Sequence, residues 1–399
     1  MAILGGWLRW NSEPQQLSLP LPRSQVGLDP WLCAAAAALL AWGLVMVASA
    51  SVAQAQKLTS EPFYFFYRQL AFAAMGGIAA FAAFRVPMHV WERKSSLLAV
   101  GGLFLLLIVL IPGIGVKVNH ARRWIDLEVI RIQASEPARL ALILYLAGYI
   151  VRRQGRLQNT LMGLLVPFMP LLLAAVLLLL EPDFGATAIL MAVAFIMLFL
   201  GGARLLHLMG LAAVGVAGLG LLAIAAPYRM QRLIGFRDPF ADMENGGWQL
   251  ANSLIAVGRG EWTGVGLGNS VQKLLYLPEM HTDFIFAILA EEFGLFGVMI
   301  LIALFGLLVW RGFVVGAQAE ALGERFKACL VYGLTAWLGL QSLINMAVNM
   351  GTLPTKGLTL PLLSYGGSSL ITVLLLLALI LRVDYENRLA LERAARRKS

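Results

Sequence analysis

Ten apolar runs divide the sequence, near residues 31–53, 69–86, 96–114, 137–151, 159–180, 185–203, 205–227, 284–310, 328–350 and 364–381. Each is close to the ~20 residues that cross a bilayer core as a helix. Lipid offers no partner to a backbone N–H or C=O, so a spanning segment pairs its own as a helix or closes into a barrel. Strand-length alternation is absent, which leaves an all-α polytopic integral membrane bundle of about ten transmembrane helices. Composition agrees: 59% of residues are hydrophobic and 13% charged, against about 25% charged in soluble domains.

Residues 1–30, with the polar and proline-bearing stretch NSEPQQLSLPLPRSQ, lack a basic stretch followed by a short apolar core and a cleavage site, so no cleaved signal is expected. Cys33 and Cys329 both fall inside predicted spans, leaving neither a disulfide framework nor metal-ligand spacing. A formal charge of +9 raises nucleic acid as a partner, but in a polytopic chain it is better explained by cytoplasmic loops, and no nucleic-acid partner is expected.

An even number of spans puts both termini on one side, and the tail RLALERAARRKS is the most basic segment of the chain. The positive-inside tendency makes that side cytoplasmic, together with the loops carrying Arg93 and Lys94, Arg152, Arg153 and Arg156, Arg204, and Arg311, Arg325 and Lys327. The organisation expected is a cytoplasmic segment over 1–30, a transmembrane domain over 31–382 and a basic cytoplasmic tail over 383–399. The outer face receives the 115–136 loop, the EPDFG junction, a long periplasmic loop over 228–283 between the seventh and eighth helices, and GTLPTKGLTLPLLSYGG. These outer loops hold Lys117, Arg122, Arg123, Arg131, Arg229, Arg232, Arg237, Arg259, Lys273 and Lys356, against the bias. Contact with anionic headgroups explains such cations, and so does an anionic ligand such as a pyrophosphate.

The glycine-rich segment 245–270 lacks G-x-x-x-x-G-K-[ST], and its glycines follow no strand, so it is no nucleotide loop. Within it WQLANSLIAVG reads as an amphipathic half-helix at the interface. No internal duplication of the kind inverted-repeat transporters carry is visible.

Ionisable residues near span ends are few: Glu136, Arg139, Glu181, Asp183, Asp283, Glu291, Glu292 and Lys356. All but Glu291 and Glu292 fall near the outer face, and clustering on one side is what a site requires. Glu136 and Arg139 are three residues apart on one helical face, which a structural ion pair explains. Asp283, in HTDFIF, stands directly before an apolar run; by its residue chemistry alone a helix N-cap is the favoured reading over a functional carboxylate.

The segments ARRWIDLEVIRIQASEPARLALILYLA, EPDFGATAILMAVAFIMLFLGG, GGWQLANSLIAVGRGEWTGVGLGNSVQKLLYLPEMHTDFIFAILAEEFGLFG and INMAVNMGTLPTKGLTLPLLSYGGSSLI closely resemble the SEDS family of shape, elongation, division and sporulation proteins. The resemblance covers about residues 31–382, and LPTKGLTLPLLSYGGSS is similar to the division members rather than the elongation ones. It implies a peptidoglycan glycosyltransferase in the bacterial cytoplasmic (inner) membrane at the division septum, polymerising lipid II during septal wall synthesis. It also implies a class B penicillin-binding transpeptidase (FtsI) as partner, beside the division proteins FtsQ, FtsL, FtsB and FtsN. The family's essential aspartate falls on Asp283, and its Q-P-S-E-x-x-K pattern falls on Glu136 and Arg139, with Ala134 in place of proline and Arg139 in place of lysine.

Such chemistry suits these residues. The 4-hydroxyl of an acceptor sugar attacks the anomeric carbon of a donor, and undecaprenyl diphosphate leaves. Diphosphate is a good leaving group, so one base plus cations suffices, unlike the paired carboxylates of a glycosidase. Asp283 is the candidate general base. Candidate substrate-binding residues are Arg122, Arg123, Glu136, Arg139, Asp183, Asn269, Lys273, His281, Lys356 and Ser364. A divalent cation, Mg2+ or Mn2+, is a candidate for holding the pyrophosphate, with no ligand set legible. Trp124, Trp248 and Trp262 are either sugar-stacking or interfacial belt residues. Two rival functions share the fold: a lipid II flippase, and a scaffold that activates the transpeptidase without chemistry of its own.

Overall fold

A computed structural model describes residues 27–118, 121–126, 131–224, 238–241, 247–354 and 357–396. In chain order it contains α1 (Pro30–Thr59), α2 (Tyr64–Arg85), α3 (Met88–Val109), strands β1 (Gly115–Val118), β2 (Ala121–Asp126) and β3 (Arg131–Gln133), α4 (Ser135–Arg152), α5 (Gln154–Asn159), α6 (Leu161–Leu180), α7 (Phe184–Leu200), α8 (Leu205–Ile224), α9 (Trp248–Gly260), α10 (Ile285–Ala321), α11 (Arg325–Asn349) and α12 (Gly367–Arg396). Among the described residues, each of the ten apolar runs falls wholly or mainly on a helix. Six of these, α1, α2, α6, α10, α11 and α12, are long and apolar enough to cross a membrane by length and composition.

Local chemistry accounts for the boundaries. Pro30 opens α1 where its missing N–H costs nothing, and the buried Asp29 carboxylate caps the helix by accepting from the amides of Trp31 and Leu32. Asp183 caps α7 in the same way, accepting from the Ala186 amide at 3.0 Å. Pro167 and Pro170 lie inside α6, a pattern that helices in lipid tolerate. Large apolar side chains on α2, α3 and α6, among them Ile78, Phe81, Leu97, Phe104 and Met169, stay exposed on the outside of the bundle, where lipid is their solvent. Buried Leu142, Ile143, Phe286, Ile288, Tyr332 and Trp337 fill its centre from α4, α10 and α11.

Two features depart from the expectation of helices joined by loops. Residues 115–118, 121–126 and 131–133 form a three-stranded antiparallel sheet in the order β1-β2-β3. Its last strand is tied to the bundle where the Gln133 amide donates to Ser368 Oγ at 3.2 Å. The pairing of three short strands is decided by contacts between segments, which a search for long alternating runs does not register. α10 is also not one continuous rod: Gly294 has φ 64° and ψ −164°, which splits the helix. The loop after α9 crosses at that break, and its carbonyls accept the freed amides: Leu295 donates to Glu261 at 2.9 Å and Phe296 to Trp262 at 3.1 Å. A Cβ on Gly294 would lie 2.4 Å from the Gly264 nitrogen, so only glycine permits the crossing. The amphipathic segment expected at the interface is α9, whose Gly260 packs so closely on α10 that a Cβ would meet the Ala290 oxygen at 2.0 Å.

Candidate active site

The segment between α9 and α10, the β-sheet, the start of α2 and the 357–369 stretch surround a cavity of about 830 Å3. Asp283 lines it, as do His281, Glu279, Arg123, Trp124, Arg131, Gln133, Arg68, Tyr365, Ser368 and Ser369. Three arginines thus share the compartment with three carboxylates, Asp126, Glu279 and Asp283; Arg131 is paired with Asp126 at 2.9 Å, and Asp283 stands directly before a helix. That carboxylate is not a cap. The residue flanking α10 is Phe284, with no side-chain capping bond, so the N-cap alternative for Asp283 does not describe the structure. Asp283 is partly buried, and its Oδ2 faces Gly357, where a Cβ would stand 3.3 Å away. Withdrawal from water raises its pKa to about 7; Glu279 and Asp183 add to the rise, and Arg123 opposes it.

His281 lies beside it, 4% exposed, with its ring 4.6 Å from Phe65 and 5.5 Å from Tyr365. Burial lowers its pKa to about 4, and its Nδ1 has no partner among the described residues, so the ring is neutral at pH 7. Its packing is aromatic, and no hydrogen bond between it and the Asp283 carboxylate is present among the described residues. Arg123 is held by the turn between α6 and α7: Nε donates to the Glu181 carbonyl at 2.9 Å and Nη2 to that of Pro182 at 2.5 Å. The Glu181 side chain at that turn is fully buried with neither carboxylate oxygen bonded among the described residues, and burial, reinforced by Asp183, raises its pKa to about 9. Glu181 is accordingly neutral and leaves the charge of Arg123 uncancelled.

The other candidates lie elsewhere. Arg122 does not line the cavity; its Nη1 reaches the Leu110 carbonyl at 3.5 Å. Glu136 and Arg139 form a buried pair at 3.8 Å, with Arg139 4.8 Å over the Trp337 ring and bonded to Gln341 Oε1 at 3.1 Å. Asp183 is buried behind the cavity wall, where it caps α7 and accepts from Gln133 Nε2 at 3.2 Å. Lys273 pairs with buried Glu292 at 2.9 Å and bonds Ser49, away from the cavity, while Asn269 makes local backbone contacts, its side chain donating to the Val265 carbonyl at 3.1 Å and its amide to that of Gly266 at 3.1 Å. Ser364 is a buried tie, donating to the Thr282 carbonyl at 2.6 Å and accepting from the Leu360 amide at 2.7 Å. Of the tryptophans, only Trp124 lines the cavity. Lys356 lies outside the described residues. Arg68, Gln133 and Glu279 were not singled out from the sequence. Arg68, a cation one turn into a span, carried the signal that would have found it. No group of three or more His, Cys, Asp or Glu side chains able to hold a metal ion occurs among the described residues.

Fold and cavity together define a multi-pass membrane protein with three carboxylates and three arginines facing one compartment at one end of the bundle. The FtsW/RodA/SpoVE family of cell cycle proteins matches residues 30–389, and the chain belongs to that family. It is 54% identical over 360 residues to the probable peptidoglycan glycosyltransferase FtsW of Nitrosococcus halophilus, covering 90% of this chain and 93% of that one. It is 50% identical over 373 residues to the protein of the same name from Legionella pneumophila, covering 94% and 95%. Among solved structures, a chain of a peptidoglycan synthase complex that coordinates polymerization and crosslinking superposes with a TM-score of 0.74 at 29% identity, over 91% of this chain and 99% of that one. The rod shape determining protein RodA of Thermus thermophilus gives a TM-score of 0.68 at 29% identity, over 90% and 98%.

Proposed function

We propose that this chain is a peptidoglycan glycosyltransferase that polymerises lipid II, with Asp283 as the general base. The observation that carries the reading is the Asp283 carboxylate, which caps no helix and faces an 830 Å3 cavity that Arg68 and Arg123 also line. The acceptor O4 forms a bond to the donor anomeric carbon as the bond from that carbon to the diphosphate oxygen breaks. The O4 proton passes to Asp283, and the diphosphate leaves with its negative charge. A base with a pKa near 7 is matched to this transfer at neutral pH. Arg68 and Arg123 stabilise charge that develops on the leaving group, which is where preorganised cations lower a barrier, while Arg131 is balanced by Asp126. Neutral His281 adds no competing charge beside the base.

A class B penicillin-binding transpeptidase as partner is supported by the likeness to a chain of a peptidoglycan synthase complex. Septal location is supported by the relatives named FtsW; FtsI, FtsQ, FtsL, FtsB and FtsN are the assembly that this location predicts. The basic tail supports cytoplasmic termini. The test is lipid II polymerisation by the purified protein with its transpeptidase, wild type beside Asp283→Asn, with binding of the partner measured in both. Strands from the wild type and none from a variant that still binds its partner support the base. Equal strands from both would move the base elsewhere, and none from either favours a flippase or a scaffold.

A further inference from the structure

Asp283 begins the approach to α10, yet its backbone does not belong to that helix. In a regular helix its carbonyl would accept from the amide of Ala287, four residues on. The Ala287 amide instead goes to the Phe284 carbonyl at 3.0 Å and to Asn349 Oδ1 at 3.3 Å. The Asp283 carbonyl is taken by two side-chain amides of α11: Asn345 Nδ2 at 2.9 Å and Asn349 Nδ2 at 3.0 Å. Asn345 Nδ2 also donates to the Leu358 carbonyl at 2.5 Å, on the stretch that carries Gly357 up to the Asp283 carboxylate. Both asparagines are buried, 2% and 0% exposed, and they stand four residues apart on one face of α11. Buried amides in an apolar span cost stability unless every polar atom is satisfied, and these two direct their donors at one carbonyl.

The two preceding carbonyls are held as well. Ser364 Oγ takes that of Thr282, and the Tyr365 amide takes that of His281 at 2.8 Å. Three successive carbonyls, 281 to 283, therefore end on donors from α11 and the stretch before α12, and none is part of the α10 ladder.

We propose that Asn345 and Asn349 are positioning residues: they keep Asp283 out of the first turn of α10 and lock its carboxylate to the 357–360 wall, so base and wall form one rigid unit. The inference rests on the reading of Asp283 as the base. Were Asp283 drawn into the helix, its side chain would turn toward the amides of the first turn and become the cap that sequence chemistry favours. The carboxylate would then leave the cavity. A misplacement of about 1 Å at a reacting group costs up to about 100-fold in rate.

The test compares Asn345→Ala, Asn349→Ala, Asp283→Asn and Ser342→Ala in the purified full-length protein with its transpeptidase, using lipid II as substrate. Ser342 is the control, equally buried on α11, but bonded to the Leu338 carbonyl and not to Asp283. Expected for each asparagine variant is a kcat about 10- to 100-fold lower, with KM for lipid II within about twofold. Amide hydrogen exchange, which does not depend on activity, should rise at 281–287 and 357–364 together and nowhere else, while Ser342→Ala stays like the wild type. Wild-type kcat in Asn345→Ala and Asn349→Ala beside an inactive Asp283→Asn overturns the positioning role and leaves the base intact. Equal losses in the asparagine variants and Ser342→Ala, with exchange raised throughout, overturn it in favour of general packing. Full activity in Asp283→Asn refutes the base itself, and the exchange pattern still decides whether the anchor exists.

Discussion

Asp283→Asn should stabilise the protein at alkaline pH while it abolishes polymerisation. The folded state raises the pKa of this carboxyl from 3.8 to about 7, which at ~1.4 kcal/mol per tenfold corresponds to about 4 kcal/mol between the two protonation states. Partial contact of the carboxylate with water makes that figure a ceiling. The sign follows from proton counting. Below about pH 3.8 both states hold the proton and the group contributes nothing. Between 3.8 and about 7 the unfolded carboxyl ionises while the folded one stays neutral, so stability falls as pH rises. Above about 7 the whole cost is present. Asparagine has the same shape and never titrates, so the variant escapes the cost. The assay is thermal unfolding of both proteins in detergent across about pH 4 to pH 8.5. The variant should melt higher at the alkaline end, and the difference should vanish toward pH 4; His281 titrates in both proteins and cancels. The wild-type polymerisation rate should rise about tenfold per pH unit toward a plateau above about pH 7, because only the ionised base accepts the proton. A melting difference that does not change with pH, or a variant less stable than wild type at pH 8, would refute the argument that the site holds this carboxyl neutral.

Lys273→Met leaves Glu292, 0% exposed at its side chain, as a buried carboxylate with no countercharge, held only by the Ser49 hydroxyl among the described residues, and should cost about 3–5 kcal/mol. The double variant Lys273→Met/Glu292→Met should recover most of it, and a double variant no more stable than the single one in a thermal melt would exclude this account. Gly43→Ala places a Cβ 2.2 Å from the Leu362 oxygen and 2.7 Å from the Leu363 Cα, so α1 must back away from the stretch before α12. A loss of about 1–3 kcal/mol in thermal stability is expected; wild-type melting would show that the two backbones are not in that contact.

Each apolar run is a local property of 15 to 27 residues, and water, lipid and backbone pairing make such a run a helix whatever surrounds it. That is why the helical architecture, the candidate acid before the eighth run and the cations in the connecting loops were legible without coordinates. Tertiary structure decided which of those cations meet the acid. Arg123 and Lys273 look alike as basic residues between spans, yet Arg123 is steered to the cavity by two carbonyls of the α6–α7 turn, and Lys273 is consumed by Glu292. Nothing within a few residues of either distinguishes them, because their partners lie 58 and 19 positions away. The same holds for Asp283, whose sequence context is that of a good helix cap. Asn345 and Asn349, more than sixty residues further on, take its carbonyl and leave its carboxylate to the cavity. Hydrophobic periodicity speaks for a segment's own neighbours; the charge balance of a site is set by side chains that meet only once the helices have packed.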